Sequence, residues 1–273
     1  MRGHLPGDAE PIPATVSSEA QSVKSDIKVS DPGKGLLTAF RERKMDCPIC
    51  GRNFISDSIK GGTLIAEDFD LDLRPRFKNA DITLYKVIQC PHCGYSNHEK
   101  FFNEISNGEV GLIKSRMIEG MEGKINRFAD RTYENTYPMY RSALSFSMIG
   151  GINVSKRAYI ALYCAWLIRG WREDMEKAGE TVKNSFVMGL DTERKLMKFA
   201  LNNFKVARGT ELFPICGMEM AVFDYLLAAL FYLNGEPEDA RRYLDNAKKA
   251  GNCPANVQKK MNELTPLIRK KLE

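Results

Sequence analysis

From about residue 110 onward, apolar side chains recur every three or four positions, the spacing that lines one face of a helix. The pattern predicts helices at about 110–128, 138–148, 155–172, 191–207, 218–233, 237–250 and 256–271. Gly150, Gly151, Gly209, Gly235 and Gly251 stand near their ends, where glycine commonly stops a helix. Pro237 suits a first helical turn. Pro266 should kink or split the last helix, because it removes a backbone donor.

Upstream the period changes. Ile82-Thr83-Leu84-Tyr85-Lys86-Val87-Ile88 is rich in β-branched and aromatic residues and reads as a strand, and Asn53-Phe54-Ile55 can continue a hairpin. Ser96 to Glu99 fits a capping box, with Phe101, Phe102 and Ile105 opening a helix behind it. Residues 1–36 are polar, hold four of the twelve prolines and follow neither period. They read as a disordered arm, or as a peptide that binds a partner. The expected plan is an arm at 1–42, a β-ribbon at 43–104 and a helical domain at 105–273.

Composition narrows the class. Hydrophobic residues make up 43% of the chain, enough for a sizeable core. No apolar run approaches the ~20 residues of a membrane helix, and the first 30 residues lack a secretory apolar stretch, so a cytoplasmic protein is expected. Its seven cysteines should then stay reduced, which favours metal binding over disulfides. The net charge of +5 hints at nucleic acid. Divided along the chain, however, residues 45–105 carry seven basic against nine acidic groups. A phosphate-gripping ribbon should gather cations around itself, so nucleic acid is not the expected partner.

The chemistry sits in two short pairs, Cys47-Pro48-Ile49-Cys50-Gly51 and Cys90-Pro91-His92-Cys93-Gly94. Each is a CPxCG knuckle, a tight turn that aims two thiols inward and ends in a permissive glycine. Together Cys47, Cys50, Cys90 and Cys93 supply four soft ligands, the complement of a closed tetrahedral zinc site. Paired knuckles of this kind also occur in rubredoxins, which makes iron the second choice. The 39 residues between Cys50 and Cys90 do not suit that compact module. They also exceed the roughly 15–20 usual between paired knuckles, so an insertion must leave the ribbon. Within it, Asp68, Asp70 and Asp72 suggest a calcium loop, but Leu73 stands where glycine is required and Asn79 where glutamate is. A solvated strand edge or loop is the expectation there. His92 is expected to face solvent, and His98 is a distant candidate as a replacement ligand.

No phosphate-binding loop, GxSxG elbow or HExxH motif appears, and Cys164, Cys216 and Cys253 have no histidine near them in sequence. Cys164 reads as a small core residue. No enzyme is expected. Leu227-Ala228, Phe231, Ala240, Leu244 and Ala247 match the tetratricopeptide layout of small and large residues over a helix pair. Ala200, Phe204 and Ala207 repeat part of that spacing forty residues earlier, with residues 158–166 as the partner helix and a loop from about Glu173 to Leu190. Val257, Met261, Leu264 and Ile268 form a stripe that would cap the stack. Arg169, Trp171 and Arg172 could face a groove, or lie as a helix end over apolar surface.

These elements together resemble the bacterial domain-of-unknown-function family 2225. The resemblance spans about Met45 to Lys249. It rests on the two knuckles, the Leu84-Tyr85-Lys86-Val87-Ile88 approach to the second, the Ala165-Trp166-Leu167-Ile168-Arg169 helix and the tetratricopeptide-like stretch from Leu226 to Ala247. It implies a metal-ribbon head on a helical-repeat body, with no established activity.

The expected fold is mainly α: a tetratricopeptide-like helical-repeat bundle with a small N-terminal β zinc ribbon built on rubredoxin-like knuckles. The expected role is a non-enzymatic, metal-stapled adaptor that binds a protein or peptide in its helical groove. Tyr159, Tyr163, Arg169, Asp224 and Tyr225 are the candidate lining residues. The alternatives are a nucleic-acid-associated regulator using the ribbon and a rubredoxin-like electron carrier. No oligomeric state follows from the sequence.

Overall fold

A computed structural model describes residues 39–117, 127–128, 131–149, 151–179 and 189–273. Of the expected disordered arm, residues 1–38 fall outside the described part, whereas Ala39 is buried and residues 40–42 belong to the first strand. The described part is mainly helical, with three small antiparallel strand pairs. Strands β1 (Phe40–Asp46) and β2 (Asn53–Ile59) flank the first knuckle, and β5 (Val87–Gln89) and β6 (Ser96–His98) flank the second. Between them lies a third hairpin, β3 (Ala66–Phe69) with β4 (Pro75–Phe77). The helices follow as α1 (Asn107–Arg116), α2 (Tyr133–Ile149), α3 (Val154–Lys177), α4 (Leu190–Thr210), α5 (Met220–Leu233), α6 (Pro237–Ala250) and α7 (Ala255–Leu272). Among the described residues, no helix is long and apolar enough to cross a membrane.

Several local expectations need correction. The stretch 82–88 is not one strand. The Asp81 side chain accepts the Thr83 N–H and starts a 3-10 turn over Ile82–Tyr85, and only Val87–Gln89 is extended. Ser96 to Glu99 does not open a helix. Residues 96–98 pair with β5, and the capping box forms ten residues later, between Ser106 and Glu109, to start α1. The helix expected to reach residue 128 ends at Arg116, and residues 118–126 lie outside the described part. Helix α3 runs to Lys177, so Glu173 is helical; of the expected loop, residues 180–188 lie outside the described part. Pro266 does not split α7, which runs unbroken across it, and Pro138 sits inside α2. Both prolines are exposed. A missing donor therefore leaves a carbonyl on the wet side of the helix, where water can serve it.

The main core is formed by α2–α7, whose strongest packing is α3 on α4 and α5 on α6. Small residues make close approach possible: Ala158, Ala161 and Ala165 on α3, Ala200 and Ala207 on α4, Ala228 on α5 and Ala240 on α6 are all buried. The stripe Val257, Met261, Leu264 and Ile268 seats α7 on this core. A second core surrounds the knuckles, where Phe146 of α2 and Ile113 of α1 meet Tyr95 and Phe102.

The insertion is not a solvated edge. Its hairpin drives a tip, Asp70–Arg74, into the helical body. Leu73 turns the chain at φ 65°, and Leu71 and Leu73 pack on the helical core. Asp72 has no exposure at all. Arg169 of α3 grips it in bidentate fashion at 3.0 and 2.7 Å, and the Trp166 indole N–H donates at 2.9 Å. Around this centre Arg169 also meets Asp70 at 3.0 Å and Glu193 of α4 at 2.7 Å. Arg76 bridges Asp70 to Glu173. At the far side, Asp68 reaches Lys260 of α7 at 3.2 Å. A buried carboxylate is tolerable only when it is paired and hydrogen-bonded, as here. Burial pushes the Asp72 pKa up, but the Arg169 charge and bonds outweigh it and hold the carboxyl below its usual range.

Close approach of the insertion to α3 explains Gly170. A Cβ there would lie 2.1 Å from Asp81 Oδ2 and 2.6 Å from Arg74 Nη2. Glycine in a helix interior costs roughly 1 kcal/mol relative to alanine, so alanine would stabilise an ordinary exposed site. Gly170→Ala is expected instead to lower the unfolding midpoint in urea by separating Arg74 from Asp81. A midpoint equal to or above wild type would contradict this packing.

Candidate metal centre

The two knuckles use one backbone design. The Gly51 N–H donates to the Cys47 carbonyl at 2.9 Å, and the Cys47 N–H to the Arg52 carbonyl at 3.0 Å. The Gly94 N–H donates to the Cys90 carbonyl at 3.0 Å, and the Cys90 N–H to the Tyr95 carbonyl at 2.8 Å. Gly51 and Gly94 both sit at φ 71°, the left-handed region where a side chain is strained. Nothing lies within 4 Å of a Cβ built at Gly51, so the turn's backbone, not space, requires glycine there.

Packing the two turns together brings the sulfurs to one point. Cys47 Sγ lies 3.6 Å from Cys93 Sγ, and Cys50 Sγ lies 3.7 Å from Cys90 Sγ. All four fall within 4.8 Å of one another. A tetrahedron with metal–sulfur legs of about 2.3 Å has edges of about 3.8 Å. The donor set therefore fits a metal ion. The thiols also act as one electrostatic unit. The bond from Cys93 lowers Cys47 to about 5, against burial and with help from the Cys50 and Ile49 N–H groups. Burial, with the charge on Cys47 adding to it, pushes Cys90 up to about 11. The bond to Cys47 and burial push Cys93 far upward. One sulfur ionises and resists ionisation of its neighbours, which is a frustration that a dication relieves.

Neither histidine joins the site. His92 Nε2 lies 3.1 Å from the Asn53 carbonyl, so its N–H ties the second knuckle to β2. His98 is buried in an aromatic box, with ring centroids 4.6 Å from Tyr163 and 5.1 Å from Tyr159. Cys164 lies fully buried in α3, whereas Cys216 and Cys253 are half-buried elsewhere.

The five residues expected to line a partner groove face inward. Tyr163 packs on Trp166 at 4.7 Å, and Tyr159 on His98 and Phe101. Arg169 is spent on Asp70, Asp72 and Glu193. Asp224 is fully buried and accepts from Arg208 at 2.6 and 3.1 Å. Tyr225 is fully buried, and its hydroxyl donates to the Leu71 carbonyl at 2.8 Å. Trp171 stacks on Tyr133, and Arg172 pairs with Glu193 at 2.6 Å. In the sequence, Tyr159, Tyr163, Arg169, Asp224 and Tyr225 read as groove-lining residues, whereas Trp171 and Arg172 also fit a helix end over apolar surface. The missing signal was the insertion, whose alternating aspartates are the counterpart of Arg169.

His98 gives this region a pH signature. Burial, then the Lys86 and Lys100 charges, lowers it from 6.5 to about 3. The folded protein thus refuses a proton that the unfolded chain accepts below 6.5. The His98 contribution is full above that pH and falls as the medium acidifies, with a slope of up to ~1.4 kcal/mol per pH unit. Urea unfolding measured from neutral pH down to about 5, above the main carboxylate range, should show this decline. His98→Phe should reduce that slope by the His98 share and leave the share of Cys47, whose lowered pKa acts in the same direction; an unchanged slope would contradict the assignment.

No curated protein and no solved structure matches the chain. A family model described as an uncharacterised protein conserved in bacteria, DUF2225, matches residues 40–268. That span takes in both knuckles, the insertion with Asp72, and the helices through Ile268. The chain belongs to this family.

Proposed function

We propose that the protein is a non-enzymatic scaffold, stapled by zinc at its ribbon, that presents its helices to a protein or peptide partner. The observation that carries this reading is closure of the cluster. Four sulfurs surround one point with no other candidate ligand among the described residues, and four protein thiolates leave no coordination position for a substrate. Zinc is preferred over iron because the long insertion departs from the compact electron-carrier module. A reducing compartment such as the cytoplasm would keep the thiols free to bind it.

The packing of α3 on α4 and α5 on α6, with alanines at the close approaches, supports a tetratricopeptide-like arrangement capped by α7. The partner surface must then lie outside Tyr159, Tyr163, Arg169, Asp224 and Tyr225, since the insertion and core occupy those side chains.

Elemental analysis of purified protein should find about one zinc per chain. The Cys90→Ser, Cys93→Ser variant should lose it and melt at lower temperature. A red, iron-loaded preparation, or a metal-free protein of undiminished stability, would overturn the staple. Affinity capture with the full chain should retain a partner in stoichiometric amount; none above background would count against the scaffold role.

A further inference from the structure

We infer that Cys50 and Cys90 form an oxidation site, at which hydrogen peroxide makes a cross-knuckle disulfide that expels the metal and leaves the ribbon closed. The inference rests on the metal reading above and deepens it by assigning a regulation to the same centre.

Two features of the cluster set which sulfurs react. Cys47, Cys90 and Cys93 are 2%, 0% and 8% exposed, whereas Cys50 is only half-buried. A small oxidant therefore reaches the cluster at Cys50. The close sulfur pairs run across the knuckles rather than within them: Cys50 faces Cys90 at 3.7 Å while Cys47 faces Cys93 at 3.6 Å. Closing the accessible pair to the ~2.05 Å of a disulfide needs a short movement of two side chains.

The chemistry balances on these two sulfurs, both thiolates while they ligate the ion, and one molecule of hydrogen peroxide. The Cys50 thiolate attacks the peroxide, the O–O bond breaks, and a sulfenic acid forms as hydroxide leaves. The Cys90 sulfur then attacks the Cys50 sulfur, the S–O bond breaks, and a second hydroxide leaves. Each hydroxide takes a proton from solvent to become water. Two electrons have passed from the sulfurs to the peroxide. Only Cys47 and Cys93 remain as thiol ligands, too few to hold the ion against solvent.

The geometry also dictates what survives. The new bond joins the same two turns that the ion joined, across the same insertion, so it closes the same loop. A disulfide within one knuckle would instead separate the two turns. Metal release without loss of fold is the consequence.

The test uses metal-loaded full-length protein carrying Cys216→Ser and Cys253→Ser, which removes the two half-buried thiols outside the cluster. Metal content is measured first: a folded, metal-free starting protein would sink the zinc reading itself. Hydrogen peroxide is then added, with a colorimetric chelator reporting release. The expected result is loss of about one ion per chain, a peptide pair linked through Cys50 and Cys90, and an unchanged far-UV spectrum. Thiol reductant with added zinc should restore binding. A Cys47–Cys50 or Cys90–Cys93 bond, a sulfinic acid at Cys50 without a disulfide, retention of the metal, or release accompanied by unfolding would each overturn the inference.

Discussion

The fold depends on a carboxylate that has no access to water. Asp72 lies at the tip of a hairpin inserted between the two cysteine knuckles, and α3 receives it with a bidentate Arg169 and the Trp166 N–H. Desolvating either charge alone would cost several kcal/mol, so each side holds the other in place. From that pair the remaining contacts radiate. Glu193 brings in α4, Asp68 brings in α7 through Lys260, and the Leu71 carbonyl brings in Tyr225 of α5. A short hairpin thereby touches helices that are far apart along the chain.

The same insertion is anchored at its other end by the thiols. Its chain leaves the first knuckle and returns at the second, so drawing Cys47 and Cys50 against Cys90 and Cys93 closes the loop at its base. The tip is fixed by ion pairing and the base by soft-ligand chemistry. The two restraints rest on different groups. Acid weakens the first, because the lowered Asp72 pKa contributes stability that is present above the ordinary carboxylate range and is lost as the pH falls below that range toward the lowered value.

Much of this was legible in the residues. The CPxCG spacing announced the cluster, because turn geometry and ligand chemistry are both local. The helical stripes from Ala158 to Ile268 were readable for the same reason: an amphipathic period reports a buried face whatever covers it. What escaped were pairings between distant segments. Asp70 and Asp72 look like solvent-exposed acids until Arg169, almost a hundred residues on, is placed against them. Gly170 looks like a helix defect until Asp81 and Arg74 crowd it. Tyr225 and Asp224 resemble groove residues, yet their partners are the Leu71 carbonyl and Arg208. Local signals also misplaced the capping box. Ser96-Asn97-His98-Glu99 has the right letters, but pairing with β5 outcompetes a helix start there.

The most direct test of the account is a double-mutant cycle between Asp72→Asn and Arg169→Met, read by urea unfolding of the metal-loaded protein. Each single change should cost about 3–5 kcal/mol, because it strands a buried partner. The double variant should cost little more than the worse single, giving a coupling nearly as large as the smaller single cost, about 3 kcal/mol. Costs that simply add, within about 0.5 kcal/mol, would mean that the two side chains do not hold the insertion to the helices.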